Sequence, residues 1–289
     1  MDDDILASQF EANRKHLKII AFRMLGSQTD AEDAVQEAWL RLSRSDADEI
    51  RNLGGWLTTV VARVCLDALR SRKLRREDQV APAVLEAVVD VHEGSDPDFG
   101  VALADTVGLA LLVVLETLAP AERVAFVLHD LFDLSFEEIA PILDKSPTAA
   151  RKLASRARQR FRGAPRIPKA DLVQRRRVVD AYLAAARDGD FAGLLAVLDP
   201  HIVLRADQPM TPHAPRLEIR GAERVARQAV AGWKAAAVPM LVDGVPGVVV
   251  APRGRLLLAL KMSIVGGRVT EIDVVADPSR LEALELAVL

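Results

Sequence analysis

The sequence predicts a multidomain chain: two all-α domains followed by an α+β domain with a curved sheet. Three observations predict it. Apolar residues recur at helical spacing over residues 5–76, with no strand-like alternation, and again from Asp105 to Arg162. A stretch at 77–104 sets Pro82, Gly94, Pro97 and Gly100 among acidic residues and divides that helical part in two. After Leu172 the pattern changes to short alternating runs, with the hairpin signal Gly266-Gly267 between the last two. The length of 289 residues suits two or three domains, each able to bury a core.

Taken in order, residues 5–76 read as a first domain of three or four helices, punctuated by Gly26 and by Gly54-Gly55. Thr29 and Glu32 fit a capping box that opens a helix from Asp30 to Leu42. Val35, Ala38, Trp39 and Leu42 form its expected buried stripe, and Asp30, Asp33 and Glu37 share the opposite, acidic face. The next helix begins near Trp56 and carries Cys65 in an apolar stretch, which assigns it to the core.

Residues 77–104 are the acidic linker, with at most one short helix. Residues 105–163 form the second domain, where Ser135 and Glu138 make a capping box ahead of Ile139, Ala140, Ile142 and Leu143. Asp144 and Lys145 turn, Ser146 caps, and Pro147 opens a basic helix through Arg162: a helix-turn-helix. Residues 164–170 are a second linker. In the third domain, 171–289, helices are expected at 172–187 and 190–198. Strands are expected at Val203–Ala206, Gly247–Val250, Leu256–Val265 and Val269–Val275, in a curved antiparallel sheet with helices on one side.

Charge separates along the chain although the net value is only -3. Residues 51–76 hold seven Lys or Arg against Asp67 alone, residues 77–105 hold eight acids and no Lys or Arg, and residues 145–169 hold nine Lys or Arg and no acid. Two basic blocks separated by an acidic one suit a protein that touches nucleic acid in two places.

In the helix-turn-helix, Arg151, Lys152, Ser155, Arg156 and Arg158 lie within about two turns and can present donors to a major groove. A solvated basic helix at the end of a bundle would carry similar charge, but Leu153, Ala154 and Ala157 supply a packing side and no acid neutralises the block. The other basic block comprises Arg63, Arg70, Arg72, Lys73, Arg75 and Arg76. Trp56 beside it suits either base stacking or ordinary packing, and packing is the commoner role. The acidic helix can dock a basic partner helix, with Gln36 and Arg41 as polar anchors.

No metal site and no cofactor are expected: there is a single cysteine and no glycine-rich phosphate loop. In the third domain, His201, Asp207, His213 and Asp273 are the titratable groups a pocket could use for acid-base chemistry. The plainer reading makes His213 a loop residue and Asp207 the cap of a strand end.

The run Asp30-Ala-Glu-Asp-Ala-Val-Gln-Glu-Ala-Trp-Leu-Arg41-Leu, the segment Gly55-Trp-Leu57 through Leu69-Arg70, and the end Leu153-Ala-Ser-Arg-Ala-Arg158 resemble bacterial sigma factors of the extracytoplasmic-function (ECF) group. The resemblance covers residues 5–162. It implies that residues 5–76 are sigma region 2 and residues 105–163 are sigma region 4. It implies docking of Asp30, Asp33, Gln36, Glu37 and Arg41 on the clamp helices of core RNA polymerase. It implies capture of a flipped base of the minus-10 element by the loop Ser45 to Gly55, and reading of that element by Trp56, Arg63, Asp67 and Arg70. It also implies reading of the minus-35 element by Arg151, Lys152, Ser155 and Arg156, and a linker that lies in the polymerase channel.

Residues 171–289 resemble a SnoaL-like domain of the nuclear-transport-factor-2 superfamily, through the pattern from Tyr182 to Leu198, the strand at Val203 and the helix opened by Gly221. The resemblance implies a cone-shaped α+β domain, a curved sheet closed by helices, appended so that it contacts the sigma domains and modulates their activity. One large group carries Asp-Gly-Gly-Gly-Lys after its first strand, whereas here Asp207 is followed by Gln208, Pro209, Met210, Thr211 and Pro212. The ending Asp277-Pro278-Ser-Arg280-Leu281 is similar to the tail such proteins place against the sigma core.

The expectation is therefore a promoter-specificity subunit that is not an enzyme. The rivals are a stand-alone helix-turn-helix regulator with a ligand-sensing α+β domain, and a working cyclase or isomerase fused to a sigma factor. The start Met1-Asp2-Asp3-Asp4 has the wrong charge for a signal peptide, and no apolar stretch approaches a membrane span, so a cytoplasmic protein without membrane contact is expected.

Overall fold

The structure, a computed structural model, describes residues 3–45, 50–76, 106–162, 168–207, 218–231, 237–252 and 256–289. The acidic linker, residues 46–49 of the loop Ser45 to Gly55, and His213 lie outside the described residues. In chain order the helices are α1 (Asp3–Leu25), α2 (Gln28–Leu42), α3 (Leu53–Arg76), α4 (Thr106–Thr117), α5 (Pro120–Phe126), α6 (Phe136–Leu143), α7 (Pro147–Arg162), α8 (Lys169–Asp188), α9 (Phe191–Val197), α10 (Ala222–Ala231) and α11 (Pro278–Ala283). The strands are β1 (Leu198–Ala206), β2 (Glu218–Arg220), β3 (Ala237–Val242), β4 (Val245–Val250), β5 (Leu258–Val265), β6 (Arg268–Val275) and β7 (Leu286–Val288). Among the described residues, helices alone up to Arg162, followed by mixed helices and strands, match the fold class expected. The described residues group into two compact units: one holds α1–α3 and residues 118–159, the other holds α4 and the chain from Arg160 onward.

In the first unit, α1 buries Leu6, Phe10, Leu17, Ile20 and Met24 along one face and stops at Gly26, whose φ of 70° a residue with a Cβ adopts reluctantly. Ser27 then has extended backbone and caps α2, accepting from the Asp30 N–H at 3.3 Å. The cap is therefore Ser27 rather than Thr29, and α2 starts at Gln28, because the turn at Gly26 decides where the chain re-enters a helix. Val35, Ala38 and Leu42 are buried as expected, while Trp39 is only half-buried, its ring 4.9 Å from that of Phe10.

Helix α3 starts at Leu53, so Gly54-Gly55 lie in its first turn instead of between helices. Asn52 Oδ1 accepts from the Gly55 N–H at 3.0 Å, and a Cβ on residue 55 would meet Asn52 Nδ2 at 2.8 Å. Leu57, Val61, Ala62, Cys65 and Leu66 form the buried face, and burial pushes the Cys65 thiol up to about 12.

Residues 118–159 complete this unit. Helix α5 continues into a π-helical turn (Val127–Leu131). The expected capping box is present on α6: Glu138 Oε2 accepts from Ser135 N–H at 2.9 Å, and Ser135 Oγ accepts from Glu138 N–H at 3.3 Å. Asp144, at φ 53°, ends α6, and Ser146 Oγ accepts from Ala149 N–H at the start of α7. Ala150, Ala154 and Ala157 form the buried side of α7.

The second unit is built on a seven-stranded sheet in the order β2-β1-β6-β5-β4-β3-β7. The sheet is mixed, correcting the expected antiparallel one: β1 pairs with β6 in parallel, Leu204 opposite Ile272 and Arg205 opposite Asp273. The hairpin at Gly266-Gly267 is present, both residues having positive φ, as a two-residue turn between right-twisted strands requires. At Gly247 the backbones of β4 and β5 approach so closely that a Cβ would lie 2.5 Å from the Leu260 carbonyl oxygen.

One face of the sheet buries Leu204, Ile272, Leu260 and Met262 with Val179, Tyr182 and Leu183 of α8, Leu194 of α9 and Val225 of α10. The other face is covered as well, by α4 and α11, where the sequence placed helices on one side alone. Strands β2, β3 and β7 and helix α11 went unpredicted. Pro239 breaks the strand signal in β3, and β7 pairs only with Met240–Val242, stopping short of that proline.

Candidate nucleic-acid interface

Helix α7 carries the densest set of expected contacts. Arg151, Lys152, Ser155 and Arg156 are all exposed, on a strip away from the buried alanines. The Arg151 guanidinium lies over the Phe136 ring, 5.2 Å from its centroid, which steadies a long side chain while leaving its donors outward. Arg156 is 66% exposed, and its Nη1 lies 3.8 Å from Oε1 of the buried Glu122, a long ion pair.

Arg158 differs from these four. It is half-buried, with Nε 3.1 Å from Asp130 Oδ1 on the π-helical turn. Burial raises the Asp130 carboxyl above its ordinary value, against the opposing pull of Arg158 and His129. His129 Nδ1 lies 2.8 Å from the Leu134 carbonyl oxygen, and its ring lies 4.0 Å from that of Phe136. Asp130, His129 and Phe136 thus form the underside of the basic helix. None was marked by the sequence, since no local pattern tells which residues of another turn will lie beneath a helix.

On α3, Arg63 is exposed but engaged: its Nη2 donates to the Pro141 carbonyl of α6 at 3.0 Å. Asp67 and Arg70 are exposed and pair with each other at 3.6 Å. Trp56 is half-buried. Arg72 joins the corner between α1 and α2, donating to the Leu25 carbonyl at 2.8 Å and pairing with Asp30. The side chains of Lys73, Arg75 and Arg76 lie outside the described residues.

On α2, Asp33 and Gln36 face solvent, Glu37 pairs with Arg41 at 2.8 Å, and Asp30 is held by Arg72. Beside this face runs a groove of about 430 Å³ between α1 and α2. Phe10, Val35 and Trp39 line its floor, and Glu11, Arg14, Glu32 and Gln36 its rim. The aromatic floor was missed because Trp39 was expected in the core and Phe10 belongs to another helix.

In the second unit, Asp207 is committed to holding the chain end. Its Oδ1 accepts from the backbone N–H groups of Ala276 at 2.8 Å and Asp277 at 3.3 Å, and its Oδ2 accepts from Arg280 Nη1 at 2.9 Å. Asp273 lies in the strand next to β1, and burial, then Glu271, pushes its carboxyl up. His201 is exposed. Among the described residues no cluster of three or more His, Cys, Asp or Glu side chains is placed to hold a metal ion, and no helix is long and apolar enough to cross a membrane.

Comparison with known proteins shows matches over both helical regions. The Sigma-70 region 2 family model matches residues 9–75, and the Sigma-70, region 4 model matches residues 108–161. The chain is 35% identical over 290 residues to the "Probable ECF RNA polymerase sigma factor SigI" of Mycobacterium tuberculosis, covering 97% of this chain and 96% of that one. It is 42% identical over 222 residues to the "ECF RNA polymerase sigma factor SigJ" of the same organism, covering 76% of this chain and 70% of that one. The crystal structure of Mycobacterium tuberculosis SigJ aligns over 95% of this chain and 97% of its own, at 32% identity and a TM-score of 0.46. The chain belongs to the extracytoplasmic-function sigma factors, the subunits through which RNA polymerase initiates at specific promoters.

Proposed function

We propose that this sigma factor reads the minus-35 element through Arg151, Lys152, Ser155 and Arg156. The observation that carries this is the exposed strip on α7, basic on one side, packed by alanines on the other, and fixed in direction by the capped turn before it. Bidentate Arg contacts to guanine and Lys or Ser contacts to phosphate and base edges suit such a strip. Arg158, turned to Asp130, acts by holding the helix at its angle.

Trp56, Arg63, Asp67 and Arg70 of α3 read and open the minus-10 element, which requires Arg63 to leave the Pro141 carbonyl. Asp33 and Gln36, with the α1–α2 groove beside them, dock on the clamp helices of core polymerase. Asp30, Glu37 and Arg41 supply the rest of that face, and the acidic linker 77–104 joins the two DNA-reading parts. The C-terminal domain works as an intramolecular modulator rather than an enzyme. The commitment of Asp207 to three donors supports that, since a carboxylate so held is a poor general base. The protein acts in the cytoplasm, where its polymerase and promoter are.

Transcription in vitro with purified bacterial core polymerase and a promoter library tests the reading. The expected result is polymerase-dependent initiation at promoters sharing two sequence elements, with poor DNA binding by the free protein. Failure to initiate by folded protein with active core, or tight specific binding to duplex DNA without polymerase, would favour the stand-alone regulator.

A further inference from the structure

Arg151 opens the exposed strip of α7, and a guanidinium on a long side chain in water samples many rotamers. Here one direction is favoured: the guanidinium carbon lies 5.2 Å from the centroid of the ring of Phe136, the first residue of α6. Phe136 is buried, and the His129 ring packs against it, centroids 4.0 Å apart and planes 34° from parallel. His129 is fixed in turn. A carbonyl only accepts, so His129 Nδ1, 2.8 Å from the Leu134 carbonyl oxygen, carries the hydrogen and donates.

The backbone that brings these rings together is unusual at two points. His129 lies in the π-helical turn Val127–Leu131, and Asp133 holds φ 55°, a left-handed conformation uncommon for a residue with a Cβ. The Leu134 N–H donates to the Leu128 carbonyl at 3.0 Å and closes the loop. The chain thus folds back on itself just ahead of the Ser135 cap, with His129 against Phe136. Arg151, Phe136, His129 and Leu134 all belong to residues 118–159 of the first unit.

We propose that His129 and Phe136 are positioning residues for promoter reading: their stack sets the direction of the Arg151 fork, and so its discrimination at one base of the minus-35 element. The proposal rests on the reading of that element by α7. Neither ring needs to touch DNA. Holding one arginine rotamer before DNA arrives lowers the ordering cost of the contact. The effect belongs to Arg151; Arg156, beside the Glu122 carboxylate, has a different neighbour.

The test is competition binding by holoenzyme, reconstituted from the full-length chain and core polymerase, to a set of single-base minus-35 variants. Phe136→Leu keeps an apolar side chain in the core and removes the π-face. It is expected to reduce discrimination about two- to fivefold, the range of an exposed cation–π contact, at the one position that Arg151→Ala relaxes. Other positions should be unchanged. In the Arg151→Ala background Phe136→Leu should cost nothing further at that position, whereas its effect and that of Arg156→Ala should be independent. Phe136→Tyr, which keeps a ring face, should retain discrimination. His129→Ala, which leaves Phe136 in place, should reduce it at the same position by a smaller factor, and it carries the comparison if Phe136→Leu does not fold.

An even loss of binding across all minus-35 positions, or a Phe136→Leu effect that persists without Arg151, assigns the ring to folding alone and overturns the proposal. So does unchanged discrimination in Phe136→Leu while Arg151→Ala still relaxes one position. A wild-type holoenzyme with no minus-35 preference, or an Arg151→Ala variant that relaxes no position, removes the reading by α7 and the proposal with it.

Discussion

Arg63 on α3 donates from Nη2 to the Pro141 carbonyl of α6 at 3.0 Å, tying the helix proposed to read the minus-10 element to the first helix of the helix-turn-helix. A guanidinium cannot serve that carbonyl and a promoter strand from the same donor, so DNA binding and this tie compete. The bond is solvent-exposed, which limits it to about 0.5–1.5 kcal/mol. Arg63→Ala is expected to raise hydrogen exchange across residues 136–143 of the free protein by roughly tenfold at most and to lower minus-10-dependent initiation. Unchanged exchange would show that the bond does not hold in solution.

The strip on α7 predicts salt behaviour. Arg151→Ala should cost about 1–3 kcal/mol of base discrimination at a single minus-35 position if the guanidinium is bidentate to guanine. Lys152→Ala should instead weaken holoenzyme binding evenly across sequences and reduce the salt slope by about one. Competition binding over a range of salt and a set of minus-35 variants separates the two.

Asp130 beneath α7 predicts a pH effect. Burial raises its folded pKa above the unfolded value, so the folded state binds more protons between the two values, and this group's contribution to stability falls as pH rises through that window. Asp130→Asn removes the contribution. The wild-type chain should therefore lose stability relative to the variant as pH climbs from the ordinary aspartate range, about 4, upward. Urea unfolding of both proteins across that range measures the difference, and a constant difference would contradict the sign.

Asp207 and Arg280 are expected to be unequal partners. Asp207→Ala leaves two backbone N–H groups near the chain end without their acceptor, each at about 1–3 kcal/mol if water does not replace it. Arg280→Ala removes an exposed pair at about 0–1 kcal/mol. Thermal unfolding of the two variants should rank them in that order.

Cys65, fully buried with its thiol raised to about 12, should resist alkylation near pH 8 in the native protein and react once urea unfolds the chain. Because it is the chain's single cysteine, the rate reports directly on opening of the α1–α3 bundle. Rapid native labelling would place Cys65 at a surface.

What the sequence determined by itself are the features written within a few residues of one another. The Ser135–Glu138 capping box, the turn at Asp144, the Pro147 helix start with its basic strip and the Gly266-Gly267 hairpin all follow from local hydrogen bonding and backbone sterics, and all are present. Where two local signals compete, local reading loses ground: Ser27 prevails over Thr29 as the α2 cap because Gly26 fixes the preceding turn. The remaining features join residues far apart in sequence, where nothing in a short window records the partner. The parallel pairing of β1 with β6, the anchoring of Asp207 by Arg280 across 73 positions, and Arg158 turning inward to Asp130 were each decided by packing. The same holds for α4: its apolar sequence required a cover, and only the tertiary structure determined that the outer face of the C-terminal sheet provides one, because burial rewards any apolar surface and geometry alone selects among them.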